Sequence, residues 1–132
     1  MENKVIKTDT EWKQLLTEEE FYVTRRKGTE KPFSGEYYRT CDSGIYVCKC
    51  CGQKLFSSDK KYNSGTGWPS FYDTFARENV TEREDVSLLQ KRIEVLCSQC
   101  DAHLGHVFND GPDPTGRRYC INSIALSLEP RH

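Results

Sequence analysis

Behind Thr8-Asp9-Thr10, a run of side-chain oxygens able to accept the orphan N–H groups of a helix start, apolar residues recur at i, i+3 and i+4 as Trp12, Leu15 and Leu16. This spacing predicts a short helix that buries all three along one stripe, with Trp12 anchoring it to the core. A second helical piece is expected over residues 17–20, and from 21 to 33 the period is lost. Lys31-Pro32 resists helix because the residue before proline is pushed toward extended backbone. The apolar pattern then shortens to strand-like runs rich in β-branched and aromatic residues: Tyr37-Tyr38, Ile45-Tyr46-Val47, Ile93-Glu94-Val95-Leu96, and a continuous stretch over 117–128. Turn chemistry separates them at Ser34-Gly35, Asp42-Ser43-Gly44 and 109–116. Residues 60–75 read as a long loop and 78–90 as a polar, exposed segment. The elements predict a mostly β, small antiparallel fold with short N-terminal helices, one domain over residues 1–132.

Composition sharpens this picture. The chain has 132 residues, 36% hydrophobic and 30% charged, so its core is small and gains from a staple. The net charge of -1 gives no broad attraction to nucleic acid or to an anionic membrane. Arg25-Arg26-Lys27 reads as solvated surface. The start, MENKVIKTDTEW, lacks the apolar core of a signal peptide, and no apolar run approaches the length of a membrane span. A cytosolic location is expected. There, seven cysteines point to metal and redox chemistry and not to a disulfide framework.

Cys48-x-x-Cys51, followed by Gly52, and Cys97-x-x-Cys100 are two knuckles of zinc-ligand spacing. Four thiolates would close a tetrahedral shell and leave no position for water or substrate, which makes such a zinc ion structural. Cys97, Cys100, His103 and His106 form a competing ligand set that leaves Cys48 and Cys51 over. The four-cysteine set is preferred because it uses both knuckles and frees the histidines. In a straight strand His103 and His106 point to opposite faces; a bulge at Gly105 would bring them to one side, and the sequence leaves both arrangements open.

Cys120 has no partner of this kind. In extended backbone Arg118, Cys120 and Asn122 share a face, where a cation favours the thiolate and an amide can bond an oxygen that meets the sulfur. On the strand alone the plainer reading is a small hydrophobe in a core. Trp68, stiffened between Gly67 and Pro69, is either a substrate wall or a loop anchor.

Taken together, the motifs resemble the B-type methionine sulfoxide reductases, which act on the R epimer at sulfur. The resemblance covers nearly the whole chain and is carried by Glu11-Trp12, Val23-Thr24-Arg25, Gly28-Thr29-Glu30, Pro32-Phe33, both knuckles, Leu55-Phe56, Gly67-Trp68-Pro69-Ser70-Phe71, His103-Leu104-Gly105-His106-Val107-Phe108, Asp110-Gly111-Pro112 and Arg118-Tyr119-Cys120-Ile121-Asn122-Ser123. It implies a small antiparallel fold with a structural zinc, and Cys120 as the nucleophile that attacks the sulfoxide sulfur and becomes a sulfenic acid. His103 and His106 would supply the proton to the departing oxygen, and Asp110 would orient a histidine. Trp68, with Phe108, would wall the substrate methyl group; Arg118 and Asn122 would tune the thiolate and place the oxygen. Many members carry a resolving cysteine where this chain has Thr66. Cys41 is the preferred substitute over Cys50, with direct reduction by thioredoxin, glutathione or another thiol as the alternative. A monomer acting on oxidised proteins is expected, free methionine sulfoxide remaining open as a substrate. The competing class is a non-catalytic, zinc-stapled binding module; within enzymes, it is a general thiol reductase or peroxidase.

Overall fold

A computed structural model describes residues 7–35, 37–38, 43–86 and 91–130. Both helices open on the same device. In α1 (Asp9–Leu15) the Thr8 hydroxyl accepts from the Glu11 N–H while the Glu11 carboxylate accepts from the Thr8 N–H; Thr17 and Glu20 repeat this at the start of α2 (Glu18–Arg25). Trp12 is buried as expected, and Leu16 with it, but Leu15 is 64% exposed. The helix is too short to present a full stripe, and only one side of it meets the core. The second helix runs to Arg25 and does not stop near residue 20. Phe21, Val23 and Thr24 are buried along it, so packing overrides the weak helix propensity of aromatic and β-branched residues. Arg25 lies 4.5 Å over the Trp12 ring and donates to the Cys100 carbonyl at 2.9 Å, which fastens the helix pair to the later half of the chain.

The strands form two antiparallel sheets. A three-stranded sheet has the order β2 (Lys54–Ser57), β1 (Gly44–Cys48), β9 (Leu126–Pro130). A six-stranded sheet runs β3 (Lys61–Tyr62), β4 (Ser70–Phe71), β8 (Arg118–Ile121), β7 (His103–Phe108), β6 (Arg92–Cys97), β5 (Val80–Asp85). Aromatic rings join them: Phe71 stacks on Phe56 at 4.4 Å and meets Tyr46 edge-on at 5.3 Å, and Phe56 also reaches Tyr119 at 5.6 Å. Leu55, Val95, Leu104, Ile121 and Leu126 fill the remaining core.

Four sequence expectations change here. The expected strand over 117–128 is two strands in different sheets, separated by a tight turn at Ser123–Ala125 that the Ala125 N–H closes on the Asn122 carbonyl. Tyr37-Tyr38 is not a strand, whereas the expected loop over 60–75 contains β3 and β4, and the polar segment over 78–90 contains β5. Polar residues suffice for β5 because only its first residue, Val80, is fully buried. No helix among the described residues is long and apolar enough to cross a membrane.

Candidate functional site

The two knuckles are the same turn built twice. The Gly52 N–H bonds the Cys48 carbonyl at 2.9 Å, and the Asp101 N–H bonds the Cys97 carbonyl at 2.8 Å. Gly52 and Asp101 both take left-handed backbone, at φ 80° and 62°, the conformation expected for the glycine and one that aspartate tolerates. The ends of β1 and β6 thereby bring the sulfurs of Cys48, Cys51, Cys97 and Cys100 within 4.8 Å of one another, with Cys48–Cys100 at 3.6 Å and Cys51–Cys97 at 3.5 Å. A tetrahedral zinc–thiolate shell with bonds of about 2.3 Å has sulfur–sulfur edges of about 3.8 Å, so the four residues fit such an ion. His103 and His106 take no part in this cluster, and the competing Cys97, Cys100, His103, His106 set is not assembled.

The second cysteine environment lies on the six-stranded sheet. β8 places Cys120 between Ser70 of β4 and His106 of β7 in register, and Phe108 opposite Arg118. Arg118, Cys120 and Asn122 share a face as expected. With Trp68, Phe108, His106 and Gly105 they line one cavity of about 160 Å³, which Thr29, Thr66 and Arg92 complete. Gly105 is required there: a Cβ at this position would stand 2.0 Å from the Cys120 carbonyl oxygen. The pairing of β6 with β7 shifts register between Val95 and Leu96, opposite Gly105, and the rings of His103 and His106 come within 5.6 Å.

The histidines differ in placement. His106 lines the cavity, and its Nε2–H donates to Asp85 Oδ2 at 2.9 Å. His103 is buried behind it, outside the cavity lining, and its Nδ1–H donates to Glu94 Oε2 at 2.7 Å. Burial lowers the His103 pKa, against the opposing pull of Glu94. Glu94 itself is 2% exposed and also receives Lys27 Nζ at 3.3 Å. Asp110, expected to orient a histidine, does not do so. It holds Arg118 through two hydrogen bonds, Nε to Oδ1 at 2.8 Å and Nη2 to Oδ2 at 3.1 Å, and the histidines take Glu94 and Asp85 instead. Thus fixed, the Arg118 guanidinium lies 4.4 Å over the Phe108 ring.

Burial pushes the Cys120 thiol above its ordinary range. The Arg118 charge and a hydrogen bond from Thr66 pull it down, while Glu30 and Asp110 add to the rise. Arg118 therefore favours the thiolate, as the sequence suggests, but burial outweighs it. Thr66 belongs to a hydroxyl chain in which Ser64 Oγ lies 2.8 Å from Thr66 Oγ1 and 2.7 Å from Ser70 Oγ. Asn122 reaches the cavity, yet its amide is engaged with backbone: Oδ1 accepts from the Glu30 N–H at 3.0 Å and Nδ2 donates to the Leu104 carbonyl at 3.0 Å. Trp68 lines the cavity and is also anchored, its indole N–H donating to the Glu30 carbonyl at 3.0 Å. Cys50 lies in the knuckle turn and not on the cavity, and Cys41 falls outside the described residues.

Sequence reasoning assigned no role to Glu94, Asp85, Arg92 or Thr29, and met Glu30 only inside a motif. Glu94 reads as the polar member of an alternating strand; its partner Lys27 is 67 residues away, and His103 meets it only through the pairing of β6 with β7.

The SelR domain family matches residues 16–130. A protein of Hahella chejuensis named peptide methionine sulfoxide reductase MsrB is 60% identical over 124 residues, covering 94% of this chain and 89% of that protein. Proteins of the same name from Methanosarcina mazei and Acinetobacter baumannii are 58% and 54% identical, each over 96% of this chain and 91% of their own length. With identity of this depth spanning both knuckles and the cavity strands, the chain belongs to the SelR family of MsrB-type methionine sulfoxide reductases.

Proposed function

We propose that this protein reduces the R epimer of methionine sulfoxide, carried in oxidised proteins, with Cys120 as nucleophile. The observation that carries this reading is the convergence on one cavity of a thiol, a histidine with its own carboxylate, and an aromatic wall: Cys120, His106 and Trp68. A sulfoxide has one polar oxygen and two apolar arms, and the cavity offers both kinds of surface. The Cys120 sulfur attacks the sulfoxide sulfur and a transient sulfur–sulfur bond forms; the S–O bond breaks as the protonated oxygen passes to the Cys120 sulfur, and the sulfur–sulfur bond breaks with its electron pair leaving on methionine. The oxygen ends on Cys120 as a sulfenic acid, methionine leaves as the sulfide, and two electrons have passed from thiol to substrate. His106 delivers the proton that the departing oxygen needs. Its Nε2–H stays on Asp85, so Nδ1 faces substrate, and it can give a proton only from the imidazolium, which the Asp85 carboxylate stabilises. His103 packs behind it on Glu94 and fixes the angle of the pair. Trp68 and Phe108 take the methyl end, and Arg118 steadies the thiolate.

Two thiols then restore the enzyme. The first condenses with the sulfenic acid to a disulfide and releases water; the second reduces that disulfide. Thioredoxin or another thiol supplies the electrons, either directly or through Cys41. The Cys48, Cys51, Cys97, Cys100 cluster holds a structural zinc ion that ties the β1 turn to the β6 turn, and the protein works as a monomer.

Turnover of separated R and S epimers of a blocked methionine sulfoxide, with dithiothreitol as reductant, tests the reading. Wild type is expected to consume the R epimer, and Cys120→Ser neither. Absence of reduction by a folded, zinc-loaded wild type would leave the binding module as the better account. Equal turnover of both epimers would favour a general thiol reductase.

A further inference from the structure

Residues 27–31 lie in neither helix nor strand, yet they touch the cavity through Thr29. What holds them is Glu30, which is 8% exposed. Its three polar groups tie it to two other parts of the molecule, the Trp68 loop and the turn that follows β8. The backbone N–H donates to Asn122 Oδ1 at 3.0 Å, the backbone carbonyl accepts from Trp68 Nε1 at 3.0 Å, and carboxylate Oε1 accepts from the Ile124 N–H at 2.9 Å. Ile124 stands in the tight turn directly after the Cys120 strand. The second carboxylate oxygen, Oε2, is buried without a hydrogen-bond partner, and a Cβ on Gly35 would approach it to 2.4 Å. Desolvating a buried carboxyl group costs stability, which the Ile124 and Ser123 N–H groups offset only in part, so a core-filling role is a poor explanation for it. Burial also raises its pKa.

The geometry points to Glu30 as a positioning residue. By pinning its own backbone to the turn behind Cys120, its carboxyl group sets the Trp68 indole and the Asn122 amide relative to the nucleophile, and so sets the fit of the substrate's methyl arm and the choice of epimer. The inference rests on the reductase reading above and deepens it. Trp68 comes from a loop and Asn122 from the end of β8; among the described residues the Glu30 peptide groups connect the two. A wall held at one point through a neighbour's backbone shifts when that backbone shifts, and displacements near 1 Å can cost on the order of a hundredfold in rate.

Three variants test this: Glu30→Ala, Glu30→Asp and Glu30→Gln. Kinetics with blocked R and S sulfoxides are read beside the Trp68 indole N–H resonance and its solvent exchange, in a Trp12→Phe background. Glu30→Ala is expected to raise KM for the R epimer about tenfold, narrow the ratio between epimers and speed exchange of the indole proton. Glu30→Gln retains an acceptor for the Ile124 N–H and is expected to stay within about threefold of wild type on every readout. Should Glu30→Ala fail to fold, Glu30→Asp, one methylene short of the Ile124 N–H, is expected to show the same changes in milder form. Lower stability with unchanged KM, epimer ratio and indole exchange in the folded protein would reduce Glu30 to a structural residue. The indole readout needs no turnover. A wild type inactive toward sulfoxide would therefore overturn the reductase reading while the anchoring of Trp68 is still measured.

Discussion

Five of the described cysteines divide between two regions that surround the same atom in opposite ways. At the knuckles, four sulfurs face one another across the ends of β1 and β6, each within 4.8 Å of the rest. Around Cys120 the neighbours are Arg118, Thr66, His106 and an aromatic wall, and no other described cysteine lines the cavity. Convergence of four thiolates satisfies a metal's whole coordination shell and leaves nothing to react. A lone thiol at a cavity wall, partly buried beside one cation, can become a thiolate and meet a substrate. The difference lies in what the backbone brings within a few ångströms, and not in the residue.

The sharpest way to break this contrast is to remove one sulfur from each region. Cys100→Ser should leave one ligand position poorly filled and cost on the order of 5 kcal/mol of stability, read as the loss of a cooperative urea transition together with loss of zinc by metal analysis. Cys120→Ser should lie within about 0.5 kcal/mol of wild type in the same titration while abolishing turnover. If the two variants lost comparable stability, the division into a structural and a reactive region would be wrong. A strong chelator extends the comparison: wild type should unfold on metal removal, with no change in the alkylation rate of Cys120 until unfolding begins.

A smaller effect separates the two pressures on Cys120. Burial raises its pKa and Arg118 opposes the rise, so the thiolate is a minority at neutral pH and alkylation should accelerate as pH increases. Arg118→Gln removes the opposing charge. It should move the alkylation profile to higher pH and slow sulfoxide reduction at neutral pH about tenfold, since the Arg118 side chain is 17% exposed and only partly screened. A profile unmoved by this change would mean that Arg118 only covers Phe108. The smallest expected effect concerns recycling. Cys41→Ser should leave a single round of Cys120 oxidation intact and slow thioredoxin-driven turnover; equal turnover would remove Cys41 from the cycle and leave direct thiol attack.

Much of this was legible in the sequence, because it is local. The spacing of Cys48 to Cys51 and of Cys97 to Cys100 is itself the turn that converges two sulfurs. The alternation of Arg118, Cys120 and Asn122 is itself a shared strand face. The capping run at Thr8 announced the first helix, whereas the second, expected over 17–20, ran further than the pattern showed, because the packing of Phe21, Val23 and Thr24 is a tertiary fact. The motif resemblance pointed to the family, which identities of 54% to 60% over most of the chain then established.

What the sequence by itself determined, then, was the kinds of groups present: two pairs of cysteines at metal-ligand spacing, a lone thiol on a strand, two histidines and an aromatic loop. Only the tertiary structure decided the partners. It gave Asp110 to Arg118, Glu94 to His103 and Asp85 to His106, and it set Glu30 between Trp68, Asn122 and Ile124. These last contacts span 38 to 94 residues. Local periodicity reports which face a residue occupies; which distant side chain meets it there depends on strand register and on the closure of long loops, and these follow from packing across the whole chain.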